Sequence, residues 1–231
     1  GPNGAGKTTI FNCVTGVIRP QGGQVRLNGK ELTGKSPHEV VAAGLARTFQ
    51  GIRLFKGMAV YENVLVGMYP RQRSHFWQAM LRTKGQRREE RESLKAAYAW
   101  LRFCGLEQHA GSLASELSYG DQRRLEIARA LASSPSLLLL DEPAAGMNPT
   151  EKLELMALVR RIRELGVTVV LIEHDMNFVM NVSDRVVVID RGAKIADDVP
   201  VAVQADARVI EAYLGQDDLE EGDLAVIRQG G

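Results

Sequence analysis

The chain has 231 residues, of which 45% are apolar and 25% charged, with a formal net charge of +1. This length and composition suit one large α/β domain, or a core with a subdomain, and exclude a disordered chain. The near-neutral charge argues against a dedicated nucleic-acid surface. No apolar run reaches the roughly 18 residues of a membrane helix, and no signal peptide is visible. We therefore expect a soluble protein whose two cysteines, Cys13 and Cys104, are packed and reduced.

The first fifty residues predict a loop, a helix and several short elements. Residues 1–9 form the loop, and the helix that follows ends by residues 16–20, where Gly and Pro occur together. Residues 21–34 mix glycines with single apolar residues, a pattern typical of short strands joined by turns. A short helix over 37–45 begins with a proline, and residues 46–50 predict a short apolar strand.

Residues 51–134 carry a helical pattern with one unusually basic stretch. Between positions 71 and 95 there are eight basic and three acidic residues. Such a stretch indicates either a face near anionic lipid or a partner, or a solvated helix or loop, and we favour the solvated alternative. A better-defined helix begins at Ser118, which has capping-box spacing to Asp121 and precedes an apolar stripe.

Beyond Pro135 the pattern changes to strands separated by helices. Residues 137–140, 167–172 and 186–189 are uninterrupted apolar runs, as expected for a parallel sheet covered on both faces. A helix lies between the first two runs, with Asn148 as its cap, and a glycine ends it. Alternating strands and helices predict an α/β doubly wound core.

The first nine residues predict a nucleotide site. Gly1–Thr8 fits the pattern GxxxxGK(S/T), in which glycines let successive N–H groups point at phosphate oxygens. Lys7 supplies a charge to the β- and γ-phosphates, and the Thr8 hydroxyl can ligate Mg²⁺. The candidate phosphate-binding residues are Asn3, Gly4, Ala5, Gly6, Lys7, Thr8 and Thr9. The motif alone leaves ATPases, GTPases and small-molecule kinases open.

The strand at 137–140 ends in two carboxylates. Ligands bind at the carboxyl edge of open α/β sheets, where Asp141 would hold Mg²⁺, often through water. Glu142 faces the other way, towards the γ-phosphate, and is the natural general base for an attacking water. Together with the phosphate loop, this pair predicts hydrolysis of a bound nucleoside triphosphate.

The segment Leu117-Ser118-Tyr119-Gly120-Asp121-Gln122 resembles the LSGGQ signature of the ABC ATPase family. In that family the segment of one subunit closes over the γ-phosphate held by the other. The resemblance therefore implies that Ser118 and Gly120 contact ATP, aided by the N–H groups at a helix start. Tyr119 and Asp121 depart from the pattern, and the negative charge of Asp121 argues against its contact with phosphate.

Three more positions match the family in order. Gln50, after Arg47-Thr48-Phe49, matches the Q-loop glutamine, which the resemblance implies is a Mg²⁺ or water ligand at the hinge to a helical subdomain. His174 matches the switch histidine that contacts the γ-phosphate. Asn148 occupies the D-loop position where an Asp is usual, and its helix-capping role explains it equally well.

Read together, these motifs are similar to the LivG-type ATP-binding subunits of bacterial branched-chain amino acid importers. The similarity runs nearly end to end and implies a P-loop NTPase core of the ABC ATPase type with an inserted α-helical subdomain. The resemblance divides the chain into core residues 1–50, a helical subdomain over 51–134, core residues 135–215 and an acidic tail over 216–231. We expect the tail to be mobile.

The resemblance also implies partner subunits, a cellular location and cofactors. It predicts a second ABC ATPase subunit in a head-to-tail dimer, two transmembrane permease subunits and, indirectly, a periplasmic binding protein, with no nucleic acid. The location would be peripheral, on the cytoplasmic face of the inner membrane. ATP and Mg²⁺ are the implied cofactors. Branched-chain amino acids as the solute follow from the family alone.

Other functions remain open at this point. A soluble ABC ATPase of DNA repair or translation usually has a long coiled-coil insertion or tandem ATPase domains, and neither is visible in the sequence. A degenerate nucleotide sensor is opposed by the intact Lys7, Asp141, Glu142 and His174. Within transport, urea, short-chain amide and lipopolysaccharide systems use similar subunits.

The chain begins directly on the phosphate loop and without Met. The resemblance implies that a strand enters this loop between the strands at 167–172 and 186–189. We therefore expect an N-terminal truncation, with the first strand or strands missing and a gap in the sheet beside the loop. We also expect residues 1–231 alone to bind ATP poorly.

Overall fold

The computed structural model describes residues 1–68 and 84–214. The helices are α1 (Lys7–Val14), α2 (Pro37–Ala42), α3 (Val60–Met68), α4 (Lys84–Phe103), α5 (Tyr119–Ala132), α6 (Pro149–Glu164), α7 (Met176–Val182), α8 (Pro200–Ala205) and α9 (Ala207–Leu214). The strands are β1 (Arg26–Leu27), β2 (Lys30–Glu31), β3 (Leu45–Arg47), β4 (Leu137–Asp141), β5 (Thr168–Ile172), β6 (Val186–Asp190) and β7 (Ala193–Asp198). Within these described ranges, no helix combines the length and the apolar character that crossing a bilayer requires.

Two predictions fall on residues outside the described ranges. Positions 71–83 of the basic stretch are among them, whereas positions 84–95 form the first part of α4. The acidic tail over 216–231 lies wholly outside the described residues.

A parallel sheet of three strands forms the centre of the predicted α/β core. β4 lies between β3 and β5, and Leu138 pairs with Ala46 on one side and with Val169 on the other. β1 pairs with β2, and β6 with β7, in two separate antiparallel hairpins. The strand predicted at 186–189 therefore exists, but the prediction that it belongs to the parallel sheet is wrong for the described residues.

A cleft separates β5 from β6. It has a volume of about 760 Å³ and is lined by both strands and by the start of α1. Val170 on β5 is 42% exposed and Val187 on β6 is 48% exposed, so these strands are not covered on both faces as predicted. Within the described residues, no strand is hydrogen-bonded between β5 and β6, so the cleft between the two strands stays open. The predicted gap in the sheet beside the phosphate loop is confirmed.

The largest apolar cluster joins the helices of residues 60–132 to the sheet. Val64 of α3, Leu101 of α4 and Leu125 of α5 pack in the same cluster as Leu138 of β4 and Leu155 of α6. All are nearly inaccessible to water, so the contact between the helices and the core is a continuous apolar interior. The division of the chain at residues 50 and 134 stays a prediction.

Local capping patterns account for the two best-predicted helices. Ser118 Oγ accepts a hydrogen bond from Asp121 N at 3.1 Å at the start of α5. Asn148 and Glu151 form a complete capping box on α6, with both reciprocal hydrogen bonds present. Gly166, in the left-handed region with φ 80°, follows the end of α6 as predicted.

The elements between residues 37 and 50 are shorter than predicted. The helix ends at Ala42 instead of reaching residue 45, and the strand covers Leu45–Arg47 instead of 46–50. Gly44, with φ 100°, makes the turn between them and starts β3 one residue earlier than predicted. Beyond Thr48 the chain leaves the sheet, which places Gln50 in a loop.

Both cysteines are free thiols, as expected. Cys104 is buried, and burial raises the pKa of its thiol to about 12. A thiol in such a site is inert at neutral pH.

Candidate functional site

The predicted phosphate loop curls on two glycines. Gly4 and Gly6 have φ values of 74° and 96°, a region that side chains other than glycine rarely adopt. Gly6 precedes the first residue of α1, and no side chain caps this helix end, so its first N–H groups remain available to an anion. Gly192 N donates to Ala5 O at 3.0 Å and attaches the loop to the turn between β6 and β7.

Lys7 lies half-buried within this loop. Its Nζ donates to the carbonyl oxygens of Gly1 and Pro2, the second at 2.7 Å. Burial lowers the pKa of Lys7, and the nearby carboxylate of Glu142 acts in the opposite direction. The structure thus brings the predicted phosphate-binding lysine close to the predicted general base.

Asp141, at the end of β4, is paired with an arginine. Arg47 Nη2 donates to Asp141 Oδ2 at 2.7 Å, and the two side chains are 6% and 2% exposed. Arg47 Nη1 also donates to Asn12 Oδ1 on α1 at 2.7 Å and, at 3.2 Å, to Oγ1 of Thr15, the residue that follows α1. One guanidinium therefore joins the helix of the phosphate loop to the predicted Mg²⁺ ligand. Sequence reasoning missed this role of Arg47, whose only signal was a charge inside an apolar strand.

Gln50 and Glu142 meet directly. Gln50 Nε2 donates to Glu142 Oε2 at 3.0 Å. Glu142 has a φ of 47°, and its N–H donates to Ile172 O at 2.9 Å, so the backbone turns just after β4. This turn explains how consecutive carboxylates point in different directions, Asp141 to Arg47 and Glu142 to Gln50. The catalytic roles of Gln50 and Glu142 stay predictions.

His174 lies at the same edge, two residues after β5. Its side chain is 56% exposed, and its Nδ1 is 3.9 Å from Oε2 of the buried Glu173. Glu173 accepts hydrogen bonds from Ala144 N at 2.7 Å and from His174 N at 3.2 Å. Burial raises the pKa of Glu173, while these bonds act against the rise. Glu173, which the sequence did not single out, thus links the backbone of His174 to that of Ala144, two residues after Glu142.

The predicted signature residues do not meet the phosphate loop. Within residues 1–68 and 84–214, no hydrogen bond or ion pair joins Ser118 or Gly120 to residues 1–9. Ser118 Oγ donates to Asp121 Oδ2 at 2.8 Å, and Arg124 pairs with the other oxygen of Asp121 at 2.5 Å. The charge of Asp121 is therefore compensated locally, consistent with its predicted lack of phosphate contact.

Close packing restricts the side chains that positions 120 and 146 near this segment can carry. A Cβ on Gly120 would come within 2.7 Å of Glu151 Oε1 on α6. A Cβ on Gly146 would come within 3.4 Å of the Tyr119 ring, and the Tyr119 hydroxyl accepts from Arg123 Nη2 at 3.3 Å. The Tyr119 side chain therefore lies against Gly146 and against Arg123 of its own helix.

The oxygen ligands at the sheet edge fit a Mg²⁺ ion held together with a nucleotide. The described part of the chain contains no cluster of three or more His, Cys, Asp or Glu suited to a metal. Mg²⁺ in nucleotide sites usually needs only one or two protein ligands besides phosphates and water. Asp141, a carboxylate at the carboxyl edge of β4, and the exposed hydroxyl residue Thr8 match this requirement.

Comparison with known proteins identifies the family. A profile described as ABC transporter matches residues 1–145, and one described as branched-chain amino acid ATP-binding cassette transporter matches residues 193–218. The high-affinity branched-chain amino acid transport ATP-binding protein BraF of Pseudomonas aeruginosa is 48% identical over 94% of this chain and 85% of its own length. LivG of Escherichia coli strain K12, described in the same words, is 46% identical with the same coverage.

Solved structures agree with the sequence comparison. The ADP conformation of an ATP-binding cassette from an ABC transporter superposes with a TM-score of 0.79 at 33% identity, covering 93% of this chain and 85% of that one. A dimeric post-hydrolysis cassette bound to ADP and Pi gives a TM-score of 0.71 at 25% identity, covering 86% and 82%. The chain belongs to the ABC transporter family of ATP-binding proteins, within its branched-chain amino acid transport branch.

Proposed function

We propose that this chain binds and hydrolyses ATP as a subunit of an ABC importer that drives uptake of branched-chain amino acids. The observation that carries the proposal is the hydrogen bond from Gln50 Nε2 to Glu142 Oε2, beside the Lys7 ammonium. It joins an amide and a carboxylate at one edge of the sheet, and the charge of the same carboxylate acts on Lys7. The solute class follows from the relatives BraF and LivG, whose names specify branched-chain amino acid transport.

The phosphate loop would hold the β- and γ-phosphates of ATP. Lys7 Nζ would exchange the carbonyl oxygens of Gly1 and Pro2 for phosphate oxygens, which carry more negative charge. The uncapped N–H groups of α1 would complete the cradle. The residues of this cradle are Asn3, Gly4, Ala5, Gly6, Lys7, Thr8 and Thr9.

Mg²⁺ would be held by Thr8, Asp141 and Gln50. When bound, the ion would supply positive charge against the negative charge that develops during phosphoryl transfer. In this chain Arg47 engages Oδ2 of Asp141, which leaves Oδ1 for the ion or its water shell. The same contact fixes the direction of the Asp141 carboxylate, because Arg47 is itself held by Asn12 of α1.

Glu142 would accept a proton from the attacking water. A carboxylate within hydrogen-bonding reach of water and aimed at the γ-phosphate meets the geometric requirement for a general base. Gln50 would orient both the water and the carboxylate. His174, more than half exposed at the same edge, would contact the γ-phosphate.

Ser118 and Gly120 would act on the nucleotide of a second subunit. Their separation from residues 1–9 of the same chain and the exposure of Ser118 support this arrangement. A head-to-tail dimer places the start of one α5 opposite the phosphate loop of the other subunit. The dimeric cassette bound to ADP and Pi offers a precedent in the family.

The remaining partners follow from the transport function. Two transmembrane permease subunits would carry the solute, and a periplasmic binding protein would deliver it. The chain would lie peripherally on the cytoplasmic face of the inner membrane, attached through the permeases. No nucleic acid takes part.

The test is solute-stimulated ATPase activity of the reconstituted full complex. Leucine, isoleucine or valine, presented with the binding protein, should raise ATP turnover, whereas urea, a short-chain amide or lipopolysaccharide should not. Stimulation by one of those solutes instead would retain the ATPase and reassign the transport substrate. Absence of ATP hydrolysis under all these conditions would overturn the proposal.

A further inference from the structure

A completely buried arginine on α5 contacts the loop that carries Gln50. Arg123 is 0% exposed, and its Nη1 donates to Phe49 O at 2.7 Å. Its Nη2 donates to Gln50 O at 2.8 Å. Two adjacent backbone carbonyls of the loop are therefore held by the two ends of one planar guanidinium, a fork whose geometry is rigid.

A buried carboxylate completes this contact. Glu126, one turn further along α5 and 1% exposed, accepts from Arg123 Nη1 at 2.9 Å. Its other oxygen accepts from Arg53 N at 3.3 Å. The Arg123–Glu126 pair thus holds the loop backbone at Phe49, Gln50 and Arg53, beyond the point where the chain leaves β3.

The loop held in this way presents Gln50 to the candidate base. The Gln50 backbone carbonyl contacts Arg123, while the Gln50 side chain donates to Glu142 Oε2 at 3.0 Å. Fixing the peptide planes on both sides of Gln50 restricts the direction of its side chain. A contact chain therefore runs from α5 through the backbone of Gln50 to the carboxylate of Glu142.

We propose that Arg123, supported by Glu126, is a positioning residue that sets Gln50 against Glu142, an inference that rests on the proposed ATPase function. Through this contact the start of α5, which carries Ser118 and Gly120, is linked to the catalytic edge of its own chain. A shift of α5 changes the Gln50–Glu142 geometry directly. The γ-phosphate of a second subunit, bound at the start of α5, would thereby affect hydrolysis at this site.

The energetics favour a role in geometry over one in stability. Burying an ion pair removes two charges from water, and well-packed apolar residues in its place are often no less stable. Arg123 Nε is, in addition, a buried donor without a hydrogen-bond partner in the described structure. The unpartnered Nε lowers what the Arg123–Glu126 pair contributes to stability. The pair is therefore better explained by the orientation in which it holds the loop at Phe49 and Gln50.

A double-mutant cycle on the assembled transporter separates positioning from simple support. The first change is Arg123→Met with Glu126→Leu, which removes both charges, and the second is Gln50→Ala. With Gln50 present, the Arg123/Glu126 replacement should lower kcat roughly 10- to 100-fold, because misplacement of catalytic groups by about 1 Å has effects of that size. ATP affinity should change little, and the unfolding midpoint should fall only modestly, because the Phe49 and Gln50 carbonyls that lose their donor lie in a partly exposed loop.

In the Gln50→Ala background the same replacement should change kcat less than about threefold, since a residue that acts through Gln50 has nothing left to position. Equal loss of kcat in both backgrounds, or no loss with Gln50 present, would overturn the inference. If the double replacement fails to fold, Arg123→Lys carries the test, because it keeps the charge but loses the fork. Arg102→Lys, in the exposed pair with Glu107, is the matched control and should leave kcat unchanged.

Failure of this inference is distinguishable from failure of the proposed function. If Glu142→Gln abolishes turnover while the cycle is additive, Glu142 remains the base and Arg123 has only a structural role. If Glu142→Gln leaves turnover intact, the catalytic assignment itself is wrong.

Discussion

The carboxyl edge of the sheet and the start of α5 each contain an Arg–Asp pair, and the pairs differ in burial. Arg47 and Asp141 meet at 2.7 Å with side chains 6% and 2% exposed. Arg124 and Asp121 meet at 2.5 Å with side chains 25% and 16% exposed. Water can replace a lost partner more readily in the second pair than in the first. The catalytic edge is therefore fixed by groups within this chain, whereas the start of α5 stays accessible to another molecule.

Breaking the buried pair should have the largest effect on stability. Arg47→Met leaves the Asp141 carboxylate buried without its cation and should lower the free energy of unfolding by about 3–5 kcal/mol. Arg124→Met should lower it by about 1 kcal/mol or less, because its site is partly exposed. Urea denaturation monitored by circular dichroism measures both. Equal losses in the two variants would contradict the difference between the regions.

A smaller free-energy change is expected in ATP binding when the phosphate loop loses the Lys7 ammonium. Lys7→Ala should weaken ATP binding by roughly 10- to 100-fold, corresponding to the loss of about 1.5–3 kcal/mol for hydrogen bonds to charged phosphate oxygens. Isothermal titration calorimetry on the assembled transporter measures the change. Lys30→Ala, an exposed lysine on β2, is the control and should not alter affinity. Equal affinity of Lys7→Ala and the unaltered protein would refute the assignment.

The smallest change in the free energy of unfolding should come from a substitution at the start of α5. Gly120→Ala gains helix propensity but displaces Glu151 from its capping box, so the free energy of unfolding should change by less than about 0.5 kcal/mol. In a Glu151→Ala background the obstruction is gone, and the same change should stabilise the protein by about 0.5–1 kcal/mol. Thermal unfolding of the four proteins gives both values. The same effect in both backgrounds would show that Glu151 does not restrict position 120.

Local patterns in the sequence were enough to predict the parts that depend on near neighbours. The phosphate loop, the carboxylates after β4 and the caps at Ser118 and Asn148 involve residues within about one helical turn of each other. Their spacing therefore predicted where these features lie along the chain, whereas the directions of Asp141 and Glu142 depend on the distant Arg47 and Gln50. The gap beside the loop was also predicted, from the family resemblance.

Contacts between distant positions could not be predicted in this way. Arg47 lies 94 residues before Asp141, and Arg123 lies 73 residues after Gln50, and no sequence spacing relates either arginine to its partner. The same limit explains the error at β6, because an apolar run predicts a strand but not which strand it pairs with. Glu173 was missed for a related reason, since its contact with Ala144 N forms only when β4 and β5 are adjacent.

The central claim is that Glu142, held by Gln50 beside Lys7, is the base for ATP hydrolysis, and Glu142→Gln tests it most directly. Turnover of the assembled transporter should fall roughly 10²- to 10⁴-fold, because the amide cannot accept the proton of the attacking water. ATP affinity, measured on the same preparation by calorimetry, should be retained. Glu92→Gln, on the exposed surface of α4, should leave both quantities unchanged. Unchanged ATP turnover in Glu142→Gln would contradict the account.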